Sequence, residues 1–93
     1  DDRLKSTKPT VTDSAVKYVD ASKISVGDFV TVLITVPSGA ANSVYIGGPN
    51  VTTGNGYPIA AGATWGFDKV GPGDDVYLVA PANTDVNILV AGL

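Results

Sequence analysis

The chain contains no cysteine, histidine or methionine, and glutamate and glutamine are also absent from its sequence. Without cysteine, no disulfide can hold the fold. Without cysteine and histidine, the usual ligands of a zinc site are missing as well. General acid–base catalysis most often uses histidine or glutamate. The sequence therefore predicts that the protein is not an enzyme and has no catalytic, cofactor-binding or metal-binding residues.

Positive charge is also scarce. Lysine and arginine together number 6 against 9 aspartates, which gives a formal net charge of -3. Nucleic-acid-binding proteins need a basic surface to neutralise phosphates, so we expect no nucleic-acid partner. A membrane-spanning helix needs about 18 or more consecutive apolar residues, and no such run occurs. We therefore expect no membrane partner.

The residues that are present favour β-structure. Valine, glycine, alanine and threonine dominate, and 11 glycines and 6 prolines punctuate the chain. β-Branched residues prefer strands, while glycine and proline mark turns. A domain of this size buries only about 60–65% of its unfolded surface. With disulfides and metals set aside, neighbouring subunits are the remaining source of extra stability.

Short apolar runs separated by turn residues recur along the chain from Ala15 onward. Strands at intervals of about 8–12 residues indicate a sandwich or barrel. We predict an all-β fold, a small antiparallel β-sandwich of six to seven strands. The strongest strand is Phe29–Val36, whose near-continuous apolar run predicts that its outer face packs against another segment or subunit. The predicted core comprises Val30, Val32, Ile34, Val44, Ile46, Ile59, Phe67, Val76, Leu78, Ile88 and Val90.

The first fourteen residues differ in character from the rest. They are polar and mixed in charge, with Leu4 and Val11 as the large apolar exceptions. Such a segment contributes little to a core and can order on a partner surface. We therefore divide the chain into an extended N-terminal arm, residues 1–14, and a β-sandwich domain, residues 15–93.

The stretch Val44–Gly62, VYIGGPNVTTGNGYPIAAG, resembles a pattern in small β-sandwich virion proteins of tailed bacteriophages. The later elements Trp65–Asp68, Asp75–Ala80 and Asp85–Val90 follow in the same order. The resemblance covers about two thirds of the chain, from about Val30 to the end. Proteins of this kind serve as capsid decoration (cementing) proteins or as parts of head fibres and tails.

The resemblance implies a structural virion protein on the capsid surface that binds the major capsid protein and bridges its neighbouring subunits. It also implies a homo-oligomer, such as a trimer. The N-terminal arm is longer than a bare module needs, which favours attachment to something larger. We expect the capsid contact to be formed by Arg3, Leu4, Lys5, Lys8 and Val11.

Two alternatives stay open. Asp68, Asp74, Asp75 and Asp85 could supply oxygen ligands to calcium, although aspartate is also an ordinary turn residue. A head-fibre or tail module could instead bind host-surface glycans through aromatic rings. Tyr57, beside Pro58 in a long loop, is the aromatic residue expected to be exposed, whereas Trp65 and Phe67 alternate on one face and are expected to point to the core.

Overall fold

The computed structural model describes residues 4–20, 22 and 24–92, which form an all-β structure with antiparallel sheets. This confirms the predicted fold class. The strand count of six to seven was too low, since the described residues form ten strands. They are β1 (Leu4–Thr7), β2 (Thr10–Val11), β3 (Val16–Val19), β4 (Val30–Thr35), β5 (Val44–Gly47), β6 (Tyr57–Ile59), β7 (Thr64–Val70), β8 (Val76–Val79), β9 (Thr84–Asp85) and β10 (Asn87–Ala91).

Two four-stranded sheets form the layers of the sandwich. The front sheet has the strand order β1-β10-β4-β7, and the back sheet has the order β3-β8-β5-β6. A short pair, β2 with β9, completes the pairing. Strands β1, β7, β3 and β6 are therefore the edges of the two sheets.

The core follows from alternation along the strands. In β4, Val30, Val32 and Ile34 are buried, whereas Leu33 between them is exposed. Alternate residues of a strand point to opposite faces, so one face of β4 meets the back sheet and the other faces outward. The expected covering of both faces of this strand is not seen among the described residues.

The predicted core residues are buried, with the exception of Phe67, which is 47% exposed. Phe67 lies opposite Val32, so it is on the inner side of the front sheet. It nevertheless belongs to the edge strand β7, and no described strand lies beyond it to cover the ring. β7 continues to Val70 through a register shift opposite β4.

The two ends of the chain form one long antiparallel ladder. β1 pairs with β10, β2 pairs with β9, and β3 pairs with β8. Backbone hydrogen bonds fill the gaps: the Val86 N–H donates to the Pro9 carbonyl at 3.0 Å, and the Ala80 N–H donates to the Thr12 carbonyl at 2.8 Å. The N-terminal segment thus supplies an edge strand to each sheet.

This ladder corrects the expectation of a separate arm over residues 1–14. Within the described part, residues 4–7 and 10–11 are strands of the sandwich. Val11 is 0% exposed and belongs to the core cluster. These strands could not be recognised from the sequence, because an edge strand presents most of its side chains to water and shows little apolar periodicity.

Removal of the N-terminal segment should therefore destabilise the whole domain. We expect a chain lacking residues 1–13 to lose its cooperative thermal unfolding transition, since β9 loses its partner β2 and β10 keeps only β4 of its two partners. In the full chain, Val11→Ala should lower the free energy of unfolding by about 2 kcal/mol. Leu4→Ala, at a site 65% exposed, should change it by less than about 0.5 kcal/mol. Urea unfolding followed by circular dichroism measures both, and equal effects would contradict the buried role of Val11.

Candidate functional site

Three of the four aspartates considered as calcium ligands have structural partners. The Asp74 carboxylate accepts a hydrogen bond from the Gly71 N–H at 3.0 Å, and the Asp85 carboxylate accepts one from the Thr10 hydroxyl at 2.6 Å. The Asp75 carboxylate lies 3.6 Å from the Lys17 ammonium. Across the residues that the structure describes, no group of three or more acidic side chains is placed to hold a metal ion. These aspartates hold turns and strand ends together.

The segment between β5 and β6, residues 48–56, is an ordered loop closed by its own polar groups. The Asn55 side chain accepts a hydrogen bond from the Thr52 N–H at 2.7 Å and donates one to the Asn50 carbonyl at 3.3 Å. The Gly56 N–H donates to the Thr52 carbonyl at 2.9 Å. A side-chain amide of this kind takes the place of backbone partners and keeps the turn in one shape.

The loop places Val51 against the outer side of the back sheet. Val51 is buried, yet it does not belong to the core cluster between the sheets. A Cβ on Gly47 would lie 2.8 Å from the Val51 side chain, and one on Gly56 would lie 2.7 Å from it. Gly47 and Gly56, both within the pattern Val44–Gly62, must therefore lack side chains, because Val51 occupies the space that a Cβ would take. This part of the pattern packs the loop against the outer side of the back sheet.

Substitution of these glycines should displace the loop. We expect Gly56→Ala to lower the free energy of unfolding by about 1–3 kcal/mol, because overpacking forces neighbouring atoms apart. Gly48→Ala is the matched control, since an added Cβ there meets nothing within 4 Å, and it should have little effect. Val51→Ala placed in the Gly56→Ala background should recover part of the loss. Equal unfolding midpoints for Gly56→Ala and Gly48→Ala would contradict the proposed packing.

Aromatic rings lie on edge strands of both sheets. The Ala63 N–H donates to the Ala60 carbonyl at 2.9 Å in a tight turn that connects β6 of the back sheet to β7 of the front sheet. Tyr57 on β6 is 65% exposed. On β7 the rings of Trp65 and Phe67 are 6.0 Å apart and tilted by 32°. Tyr57 is thus exposed as expected, whereas Trp65 is half-buried against the core.

A second exposed apolar group lies at one end of the sandwich, which we call the apolar end: Leu4, Val26 and Phe29. Val26 is 95% exposed and Phe29 is 57% exposed, and a turn closed by the Asp28 N–H and the Ser25 carbonyl joins them. Leu4 is opposite Ala91 on β10. The next residue, Gly92, approaches the Phe29 backbone, so its added Cβ would lie 3.6 Å from the Phe29 oxygen.

The Phe29 ring is held in place although it is exposed. A Cβ on Gly71 would lie 3.1 Å from this ring, so the glycine backbone lies against its edge. The Lys69 ammonium is 5.8 Å from the ring centroid, within the range of a cation–π interaction. Phe29 lies just before β4, which begins at Val30 and not at Phe29 as predicted. The exposure of Val26 could have been predicted from its position directly before Gly27-Asp28, because this turn pair ends the apolar run outside the core.

The sequence-predicted contact residues do not form one site. Leu4, Lys5 and Lys8 are exposed, but Leu4 lies at the apolar end and Lys8 follows the other end of β1. Val11 is buried and cannot contact a partner, which corrects its assignment. Arg3 lies outside the described residues.

Tyr18 on β3 is partly buried beside β2. Burial raises the pKa of the Tyr18 phenol above its ordinary value, because the charged phenolate is poorly solvated there. The Tyr18 hydroxyl donates a hydrogen bond to the Thr10 carbonyl at 3.0 Å. This tyrosine therefore ties β3 to β2 within the terminal ladder, a structural role.

Comparison with protein-family models, with curated proteins and with solved structures found no match for this chain. In the part of the chain that the structure describes, no helix is long and apolar enough to cross a membrane. The surfaces described above are therefore the basis for assigning a function.

Proposed function

We propose that this protein is a structural virion protein that decorates a phage capsid by binding its outer surface across neighbouring capsid subunits. The resemblance of Val44–Gly62 to small virion proteins motivates this proposal. The observation that carries it in the structure is the apolar end, where three large apolar side chains are exposed on a domain of 93 residues.

Phe29 has the properties of an anchor residue. Its ring is exposed, but Gly71 and Lys69 restrict its position, so little side-chain freedom is lost on binding. Binding energy in interfaces is concentrated in a few such residues, and aromatic side chains are prominent among them. Val26 extends from the adjacent turn and Leu4 from the edge of the front sheet. All three side chains are exposed.

A charged group lies beside the apolar end and can set its orientation on a partner. Lys69 lies over Phe29 and places positive charge beside this ring. Acidic groups on a capsid surface would pair with this lysine at the rim of the contact. Rim charges of this kind contribute more to the rate and specificity of association than to affinity.

A protein that binds across two capsid subunits stabilises the shell by mass action. It binds the assembled state, in which both halves of its site are adjacent, and not the separated subunits. A compact sandwich suits this role because its interface moves little on binding. No bond is made or broken, so the mechanism needs no catalytic residues.

Binding to capsids should depend on the apolar end. The test is co-sedimentation of the purified protein with intact, undecorated capsids of the phage that encodes it. We expect saturable binding to the shells and little binding to separated capsid subunits. Phe29→Ala should weaken binding by about tenfold or more, and Val26→Asp should weaken it through the loss of an apolar contact.

Tyr57→Ala is the matched control, since it removes an equally exposed ring from a different part of the surface, and its binding should match that of the unaltered protein. Circular dichroism should show the same fold for all variants. Absence of binding to intact shells would overturn the proposed function. Unchanged binding by both Phe29→Ala and Val26→Asp would show that the capsid contact lies on another part of the surface.

Glycan binding is a second candidate function, favoured by the exposed rings of Tyr57 and Phe67 beside Trp65. Aromatic rings with one apolar face and one wet edge suit sugar rings. If the protein is a head-fibre or tail module, a glycan array should show binding by the full chain, and Tyr57→Ala should reduce it by about tenfold. No binding to any glycan on the array would remove this candidate and leave the capsid function in place.

A further inference from the structure

Asn55, in the loop of residues 48–56, is the only asparagine in this chain that is followed by glycine. Asparagine is a thermolabile residue, and it deamidates most readily before glycine. A following residue without a side chain leaves its backbone nitrogen free to approach the asparagine side chain. Asn83 is also exposed, but it precedes Thr84, whose branched side chain crowds the same approach. The sequence therefore concentrates this reactivity at Asn55.

The reaction needs water and no other reactant. The Gly56 backbone nitrogen attacks the side-chain carbonyl carbon of Asn55, and the new C–N bond closes a succinimide ring. The side-chain amide nitrogen leaves as ammonia and takes the proton of the Gly56 N–H with it. Water then opens the ring at either carbonyl, which gives aspartate or isoaspartate. No electrons are transferred, and the net change is the replacement of a neutral amide by a carboxylate.

The folded loop holds both reacting groups in hydrogen bonds. The Asn55 side-chain oxygen accepts from the Thr52 N–H at 2.7 Å, and its amide group donates to the Asn50 carbonyl at 3.3 Å. The attacking nitrogen, that of Gly56, donates its proton to the Thr52 carbonyl at 2.9 Å. This nitrogen must lose its proton and move onto the side-chain carbon before it reacts. Because Asn55 is exposed to water, these restraints, and not exclusion of water, oppose the reaction.

Packing and a second set of hydrogen bonds connect these restraints to the rest of the loop. A Cβ on Gly56 would lie 2.7 Å from the Val51 side chain, so movement of the Gly56 backbone disturbs the packing of Val51. The Thr52 hydroxyl accepts from the Gly54 and Asn55 N–H groups, both at 3.2 Å. The loop therefore opens as a unit, by a local unfolding step that leaves the sheets intact.

We propose that Asn55 is a latent deamidation site, which the hydrogen bonds of the loop protect and which local opening of the loop makes reactive. The rate in the folded protein is then the intrinsic rate multiplied by the fraction of molecules in which the loop is open. This modification site is independent of the proposed capsid function, since the loop of residues 48–56 contains none of the residues of the apolar end.

The product does not fit the loop in which it forms. An aspartate at position 55 has no N–H to donate to the Asn50 carbonyl, and its second oxygen would face that carbonyl instead. Isoaspartate inserts the side-chain methylene into the backbone, which displaces Gly56 from its contact with Val51. Either product favours the open loop and adds a negative charge to a chain whose net charge is -3. Deamidation is therefore a one-way change that releases the loop from the back sheet.

Peptide mapping by mass spectrometry measures the protection directly. The full chain is incubated at mildly alkaline pH, either folded or unfolded in guanidinium chloride, at the same pH and temperature. We expect deamidation of Asn55 to be at least about tenfold slower in the folded chain. In the unfolded chain, Asn55 should react faster than Asn83, since only the first precedes glycine. Equal rates at Asn55 in the two states, or no preference for Asn55 over Asn83 in the unfolded chain, would overturn the proposal.

Thr52→Val tests whether the loop controls the rate, because it removes the hydroxyl that accepts from Gly54 and Asn55. It should speed deamidation about threefold or more in the folded chain and leave the rate in the unfolded chain unchanged. Hydrogen exchange of the Gly56 N–H should rise in parallel, since the same opening exposes it. Thr53→Val is the matched control, because the Thr53 hydroxyl makes no hydrogen bond within the described part of the chain. Unchanged rates in folded Thr52→Val, with circular dichroism showing the native fold, would contradict the proposal.

Asn55→Asp reproduces the aspartate product and tests its effect on the loop. After correction for the intrinsic exchange rate, protection of the Gly56 N–H should fall by about fivefold or more. Thr53→Asp adds the same charge to the same loop but leaves the side-chain amide of Asn55 in place, so its Gly56 protection should stay close to that of the unaltered protein. Equal protection in Asn55→Asp and Thr53→Asp would show that the amide does not hold the loop closed and would overturn the proposal.

Discussion

The antiparallel ladder between the two ends of the chain is the interaction on which the rest of the structure depends. Residues 4–19 run beside residues 76–91 in three successive strand pairs, and backbone hydrogen bonds at Pro9 and Thr12 carry the pairing across the gap between the sheets. The ladder closes one side of both sheets at once. It also brings Val11 into the core, where no other N-terminal residue reaches full burial among those described.

This closure explains how a chain of 93 residues without disulfides forms a two-layer sandwich. Pairing of distant segments is costly in chain entropy, and the cost is offset by the apolar area that both sheets then bury. The core consists mostly of valine and isoleucine, whose branched side chains suit a pleated surface. Val51 buries further apolar area on the outer side of the back sheet, because Gly47 and Gly56 allow its side chain to approach the backbone closely.

The distribution of surfaces follows from the same architecture. The loop of residues 48–56 occupies the outer side of the back sheet, whereas Leu33 on the outer face of the front sheet is 37% exposed. The apolar end adjoins that outer face, because Leu4 lies opposite Ala91, an outward residue of β10.

The sequence by itself determined the all-β class, the central strands and most of the core. Residues such as Val32 and Ile34 lie in runs whose alternation and composition indicate buried strand positions. The lack of glutamate, glutamine and methionine removes several residues that would favour a competing helix. The exposure of Tyr57 could be predicted in the same way, since the proline beside it limits its environment to an edge or a loop.

Only the tertiary structure decided where the N-terminal segment goes and which apolar residues remain outside. β1 and β2 are polar because edge strands face water, so their pairing with the C-terminal strands leaves no periodic signal in the sequence. Phe67 and Phe29 are large apolar residues of the kind that usually fill a core. The first nevertheless lies on a sheet edge and the second at an end of the sandwich. Burial depends on what lies across from a side chain, and that is a property of the assembled sheets and not of the neighbouring residues in the chain.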